Sequence, residues 1–169
     1  MLIIIEGIDR VGKTTLAKKL EEQGFIYCKW FNMDGPTKNG MNVAFNSLVS
    51  NLFKYVDFKN KDVVIDRFHL TEYVYSSLER NHSEKEDCLA IDKKLQILGE
   101  DFLLVYVKPE DLNFSSALHK KDLSEHSRLF DEIIKETKCK HIATSWGQLD
   151  KTVEEIKAYK ERRKSNEEY

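Results

Sequence analysis

Proline occurs twice and glycine seven times in the 169 residues, which argues against linker-rich, collagen-like or low-complexity architectures. Cysteine is scarcer still. Cys28, Cys88 and Cys139 stand far apart with no C-x-x-C pair, so neither a disulfide framework nor a cysteine zinc site is expected. They read as small buried side chains in a reducing compartment. Neither sign of charge dominates: the formal net charge is −2, and no global positive field draws the chain to nucleic acid, although a local basic patch is admitted. Long apolar runs are absent, and residues 2–5 are too few for a signal-peptide core. The expectation is a cytoplasmic protein (host cytoplasm if the source is viral) with no membrane partner and with a homodimer admitted.

What is there suits a soluble globular chain, 41% hydrophobic and 33% charged. The length fits one domain over residues 1–169, with the charged tail 160–169 expected to fray. Strand-like and helix-like segments alternate, the pattern of parallel βαβ units. Leu2-Ile3-Ile4-Ile5 is a continuous branched run, as a strand buried on both faces requires. A helix over 13–23 follows, with Leu16 and Leu20 one turn apart and Gly24 to stop it. Further strands are expected over 25–31, 62–66, 102–107 and 140–144. Helices are expected over 41–55, 71–80, 84–98, 129–137 and 148–163. The polar stretch 110–127 is the candidate lid. The sum is an α/β fold: a three-layer α/β/α sandwich on a five-stranded parallel sheet, with its sites at the carboxyl ends of the strands.

Gly7-Ile8-Asp9-Arg10-Val11-Gly12-Lys13-Thr14 satisfies G-x-x-x-x-G-K-[ST] at every fixed position, and a buried strand runs into it while a helix leaves it. Glycines let the backbone curl so that its N–H groups point at phosphate oxygens, and the helix amino end adds to that field. The expected ligand is ATP with Mg²⁺, held by Gly7, Asp9, Arg10, Val11, Gly12, Lys13, Thr14 and Thr15. Lys13 bridges the outer phosphates, Thr14 offers its hydroxyl to the metal, and Arg10 neutralises charge during transfer as an arginine finger in cis. A glycine turn before a helix is the competing reading.

Val63-Val64-Ile65-Asp66-Arg67 places an acid and a base at the carboxyl edge of the sheet. Asp66 can hold Mg²⁺ through water or take a proton from a hydroxyl, and Arg67 can grip a phosphate. A surface ion pair capping the next helix is the bland alternative. Together, Lys13, Arg10, Asp66 and Arg67 form the expected catalytic set.

The segment Ile5-Glu6-Gly7-Ile8-Asp9-Arg10-Val11-Gly12-Lys13-Thr14-Thr15 resembles the phosphate loop of thymidylate kinases. Asp66-Arg67-Phe68 with Thr71, Tyr73, Tyr75 and Ser76 is similar to that family's Asp-Arg-Tyr segment and the following helix. His141-Ile142-Ala143-Thr144 through Val153 and Ile156 resembles its closing strand and helix. The resemblance implies an ATP-dependent kinase that phosphorylates a deoxypyrimidine nucleotide, with Asp34, Phe45, Phe68, Tyr73 and Arg80 toward the substrate.

Departures bear on the acceptor. The helix around Phe45 has no arginine, the lid is short and poor in arginine, and Asp34-Gly35-Pro36 replaces a Glu-Pro-Gly type of turn. A hydroxyl acceptor needs a carboxylate base, for which Asp34 or Glu72 is at hand, whereas a monophosphate needs cations such as Arg67, Arg80, Lys38 or Lys54. A deoxynucleoside or a hydroxymethylated pyrimidine in DNA is therefore the alternative acceptor, and a non-catalytic nucleotide switch a second. Asn60-Lys61-Asp62 reads as a turn, the five histidines show no metal-ligand spacing, and the aromatics Trp30, Phe31, Phe68, Tyr73 and Tyr75 are candidates for base stacking or core.

Overall fold

The structure is a computed structural model that describes residues 1–29, 61–79, 85–113 and 122–167. Its elements run β1 (Leu2–Glu6), α1 (Lys13–Glu22), β2 (Ile26–Lys29), β3 (Val63–Asp66), α2 (His69–Glu79), α3 (Lys85–Leu95), a 3₁₀ segment (Gln96–Asp101), β4 (Phe102–Lys108), α4 (Ser124–Glu136), β5 (His141–Ser145), a 3₁₀ turn (Trp146–Gln148) and α5 (Leu149–Glu167). The five strands form one parallel sheet in the order β2-β3-β1-β4-β5, with helices on both sides. β1 is buried along its whole length and β4 in all but its last residue. That is why both read as unbroken apolar runs rather than alternating ones. Each branched residue so buried contributes about 1.5–3 kcal/mol.

The order matters for function. β1 lies between β3 and β4, so the chain leaves β1 toward one side and later returns on the other, and the crevice at that switch opens over the carboxyl ends of the strands. Register sets what meets there: Asp66 lies beside Ile5 on one side and Lys29 on the other.

Several boundaries differ from the sequence reading. α4 begins at Ser124, five residues earlier than expected. His126 sits on its apolar stripe, only 3% exposed, with Leu129, Phe130 and Ile133; a histidine scored as polar hides that stripe. Ser124–Ser127 therefore belong to a packed helix and not to a lid. The tail is corrected too. α5 continues to Glu167, because Arg163 is buried and ion-paired with Asp101, while Lys160 pairs with Asp62 and lies 5.1 Å from the Phe25 ring. Those charges anchor the helix. α3 ends at Leu95, and Gly99 (φ 53°, ψ −125°) breaks the helical path in the segment that follows. Cys28 is exposed, unlike Cys88 and Cys139. The expected helix over 41–55, and Trp30, Phe31, Asp34, Lys38, Phe45, Lys54, Arg80, His82 and residues 114–121 of the expected lid, lie outside the described residues. Among the described residues no helix is long and apolar enough to cross a membrane.

Candidate active site

The loop between β1 and α1 is curled by backbone conformations that most residues avoid. Gly7 (φ 142°) and Gly12 (φ 101°) are left-handed. A Cβ on Gly7 would stand 2.3 Å from the Val107 carbonyl oxygen, and one on Gly12 would stand 2.6 Å from the Trp146 ring; neither site has room for a side chain. Arg10 (φ 64°) and Arg67 (φ 71°) are left-handed without being glycine, a strain that persists only where the surroundings enforce it.

The enforcement is visible. Arg67 N–H donates to the Ile5 carbonyl at 2.9 Å, one ladder bond beyond the end of β3. Its guanidinium is ion-paired with Asp9 in the loop. The Asp9 N–H donates to the Tyr75 hydroxyl at 3.1 Å. Burial, with the Asp9 carboxylate nearby, pushes that phenol well above its usual range and keeps it neutral. Loop, strand end and α2 thus hold one another in place.

Lys13, 4% exposed, donates to the Ile8 carbonyl inside its own loop. Burial and then the Arg67 charge push its pKa down to about 8, against the opposing pull of Asp9, Asp66 and Glu6. Thr14 donates its hydroxyl to Asp66 Oδ2 at 2.6 Å. Asp66 is 1% exposed, and its Oδ1 has no hydrogen-bond partner among the described residues. A buried carboxylate oxygen left open beside a threonine hydroxyl fits a hydrated Mg²⁺, which typically takes one or two carboxylates together with substrate phosphates. Among the described residues no group of three acidic, histidine or cysteine side chains forms a self-sufficient metal cage.

A cleft of about 770 Å³ lies over the loop. Residues 9–15 line it, joined by Lys29, Arg67 and, across the mouth, Pro109, Glu110, Asp111 and Trp146. The structure therefore brings Arg10, Lys13, Thr14, Thr15 and Arg67 to one space, with Asp66 beneath Thr14. Phe68 and Tyr73 lie elsewhere: they are 1% and 8% exposed and belong to the core. The Tyr75 ring faces His126 at 4.8 Å. Glu72 is buried and does not line the cleft.

Some participants escaped the sequence reading. Glu6, wholly buried, accepts the Leu70 and Thr71 N–H groups at 3.0 Å and the Thr71 hydroxyl at 2.5 Å, capping α2 and orienting the segment after Arg67. Its signal was a charge closing an apolar run. Trp146, 56% exposed, packs against Gly12. Glu110 holds that turn, accepting the Ser145 hydroxyl and the Gly147 N–H at 2.7 Å each, and those bonds draw its carboxyl below the usual range.

No protein-family model and no curated protein matches the chain significantly. Solved structures do. The chain is similar to the YorR protein of Bacillus subtilis, solved with phosphorylated GDP, at 22% identity over 98% of each chain with a TM-score of 0.74. It is also similar to a thymidylate kinase from Ehrlichia chaffeensis (18% identity over 85% of each chain, TM-score 0.56) and to a deoxyadenosine kinase from M. mycoides with bound dATP (17% identity over 94% of this chain and 98% of that one, TM-score 0.57). The fold is the one these structures share. At such identities the likeness establishes the P-loop α/β fold and nothing finer.

Proposed function

We propose that this chain is an ATP- and Mg²⁺-dependent kinase that moves the γ-phosphoryl group of ATP onto the phosphate of a deoxypyrimidine nucleotide. The observation that carries the reading is the pairing of Thr14 with Asp66, whose second oxygen has no partner among the described residues, beneath a curled glycine loop whose cleft also receives Arg67. A bare nucleotide switch has no use for Arg10 and Arg67 held in strained conformations over the same cleft.

The parts divide the work as follows. Main-chain N–H groups of the loop and the amino end of α1 hold the triphosphate. Lys13, cationic below about pH 8, exchanges its internal bond to Ile8 for the outer phosphates. The Trp146 face and the Glu110 turn offer a platform for the donor's base at the mouth of the cleft. Thr14 and Asp66 would hold Mg²⁺, which when bound neutralises phosphate charge. An acceptor phosphate oxygen forms the new P–O bond as the bond to the β-phosphate breaks, and the electron pair leaves on ADP. Arg10 and Arg67 stabilise the charge spread over the transferring group.

The cleft supports an anionic acceptor over a hydroxyl. Lys29 and Arg67 line it; of its carboxylates, Asp9 in the loop and Glu110 are already hydrogen-bonded, Asp111 stands across the mouth, and Glu72 lies outside it. A hydroxyl needs an acid free to take its proton. The test offers labelled ATP with thymidylate, deoxyuridylate, free deoxynucleosides and hydroxymethylpyrimidine DNA. Label is expected in the pyrimidine monophosphates. Label in a nucleoside or in DNA moves the acceptor to a hydroxyl, and label in none leaves a switch.

A further inference from the structure

Asp66 is held from two directions, and only one belongs to the phosphate loop. Thr14 reaches its Oδ2 from α1; the second donor is the Tyr27 hydroxyl, at 3.3 Å, from β2. The sheet explains how Tyr27 arrives. In the parallel register Lys29 lies beside Asp66 and Tyr27 beside Val64, so all four side chains share a face. Tyr27 starts two residues behind Asp66, and a phenol is long enough to reach forward to it. Cys28, between them, faces the other way.

Two donors on one oxygen have a geometric consequence. A carboxylate bonded once can swing about its Cβ–Cγ bond, because that torsion is broad. Bonded to two donors from different elements, its plane is fixed, and so is the direction of the other oxygen. That other oxygen is the buried Oδ1, which has no hydrogen-bond partner among the described residues. Leaving it unpaired is costly, and a fold that merely needed Asp66 filled could have turned it toward a donor.

From this we infer that Tyr27 is a positioning residue for the metal: its hydroxyl aims Asp66 Oδ1 at the hydrated cation and raises the affinity for divalent metal without touching the nucleotide. The inference rests on the proposed kinase function, because it presumes that Asp66 faces a metal. Tyr27 is half-buried on an edge strand whose neighbour Ile26 is 47% exposed, so a ring there needs no hydroxyl for packing. Phenylalanine would keep the contact and remove only the donor.

The experiment measures Mn²⁺ affinity by electron paramagnetic resonance, on the whole chain with a non-hydrolysable ATP analogue, for the parent, Y27F, D66N and the double variant. Analogue affinity in EDTA is measured alongside. Y27F is expected to weaken Mn²⁺ about tenfold, the low end for a residue supporting a metal ligand. In EDTA it should leave analogue affinity unchanged, and it should have no further effect on metal in the D66N background. Unchanged Mn²⁺ affinity in Y27F overturns the inference. So does an equal loss with and without Asp66, or a loss of analogue affinity in EDTA. A parent protein that holds no Mn²⁺ with the analogue, or a D66N variant that holds it as well as the parent, overturns the proposed function along with it.

Discussion

Two aspartates are equally deep in this molecule and differently served. Asp66 and Asp92 are 1% and 2% exposed. Asp92, on α3, has both oxygens occupied: Oδ1 accepts the Thr137 hydroxyl at 2.5 Å and faces His69 Nε2 at 3.5 Å, while Oδ2 accepts the Lys138 N–H at 3.1 Å and the Gln96 amide at 3.3 Å. Burial alone would raise its pKa, yet the hydrogen bonds from His69 and Thr137 outweigh it and hold the carboxyl well below the usual range. Among the described residues, Asp66 receives two donors on one oxygen and none on the other. A satisfied buried carboxylate ties elements together; a half-satisfied one spends stability to keep a lone pair open for a ligand. The difference separates the part of the core that holds the fold from the part that would do chemistry.

The sharpest way to break that contrast is to neutralise each acid in turn. Asp66→Asn should lower kcat about a thousandfold, near the top of the range for losing one preorganised electrostatic group, with the thermal midpoint and metal-free ATP affinity nearly unchanged. Calorimetric melting beside steady-state kinetics checks both halves. A large drop in melting temperature with turnover intact would reverse the roles of the two aspartates. Asp92→Ala should do the opposite, removing about 3 kcal/mol of stability by orphaning the Thr137 and Lys138 donors, with kcat per folded molecule preserved. The sign of the pH effect follows from its lowered pKa. Asp92 contributes stability above about pH 4, and that contribution is lost as pH falls below it, so denaturant midpoints of parent and variant should converge in acid.

Next in size, Arg10→Ala should lower kcat about a hundredfold, with a smaller rise in the KM for ATP. Equal losses in ground-state binding would make Arg10 a simple phosphate contact. The last effect is graded with pH and concerns Lys13, the buried base within the loop. Because its folded pKa lies near 8, below the usual lysine value, it is charged below that pH and neutral above. Nucleotide affinity should therefore weaken above pH 8 by up to about tenfold per unit, and Lys13→Arg, which stays charged, should flatten the profile. Fluorescence titration across pH 7 to 10 reads it.

The comparison also marks what was legible beforehand. The loop, its flanking strand and helix, and Asp66-Arg67 at the end of an apolar run are local patterns, readable because the strand's period and the glycines' freedom act over neighbouring residues. Five strands and their carboxyl-edge site followed from the alternation of segments. Tyr27, Trp146 and Glu6 were not legible in their present roles, since each acts on a residue or segment far along the chain. His126 misled, because its ring packs in an apolar stripe while its Nε2 reaches Glu79 at 3.0 Å. Arg163 misled as well: a charged tail reads as solvated until its own burial and its Asp101 partner are known.

By itself, the sequence determined the alternating α/β plan and the phosphate loop, because backbone conformation and hydrophobic period are properties of short stretches. Only the tertiary structure decided which buried acid is satisfied and which stays open. A carboxylate's hydrogen bonds come from whichever elements the sheet order sets beside it, and strand register, not composition, sets the phenol of Tyr27 within reach of Asp66.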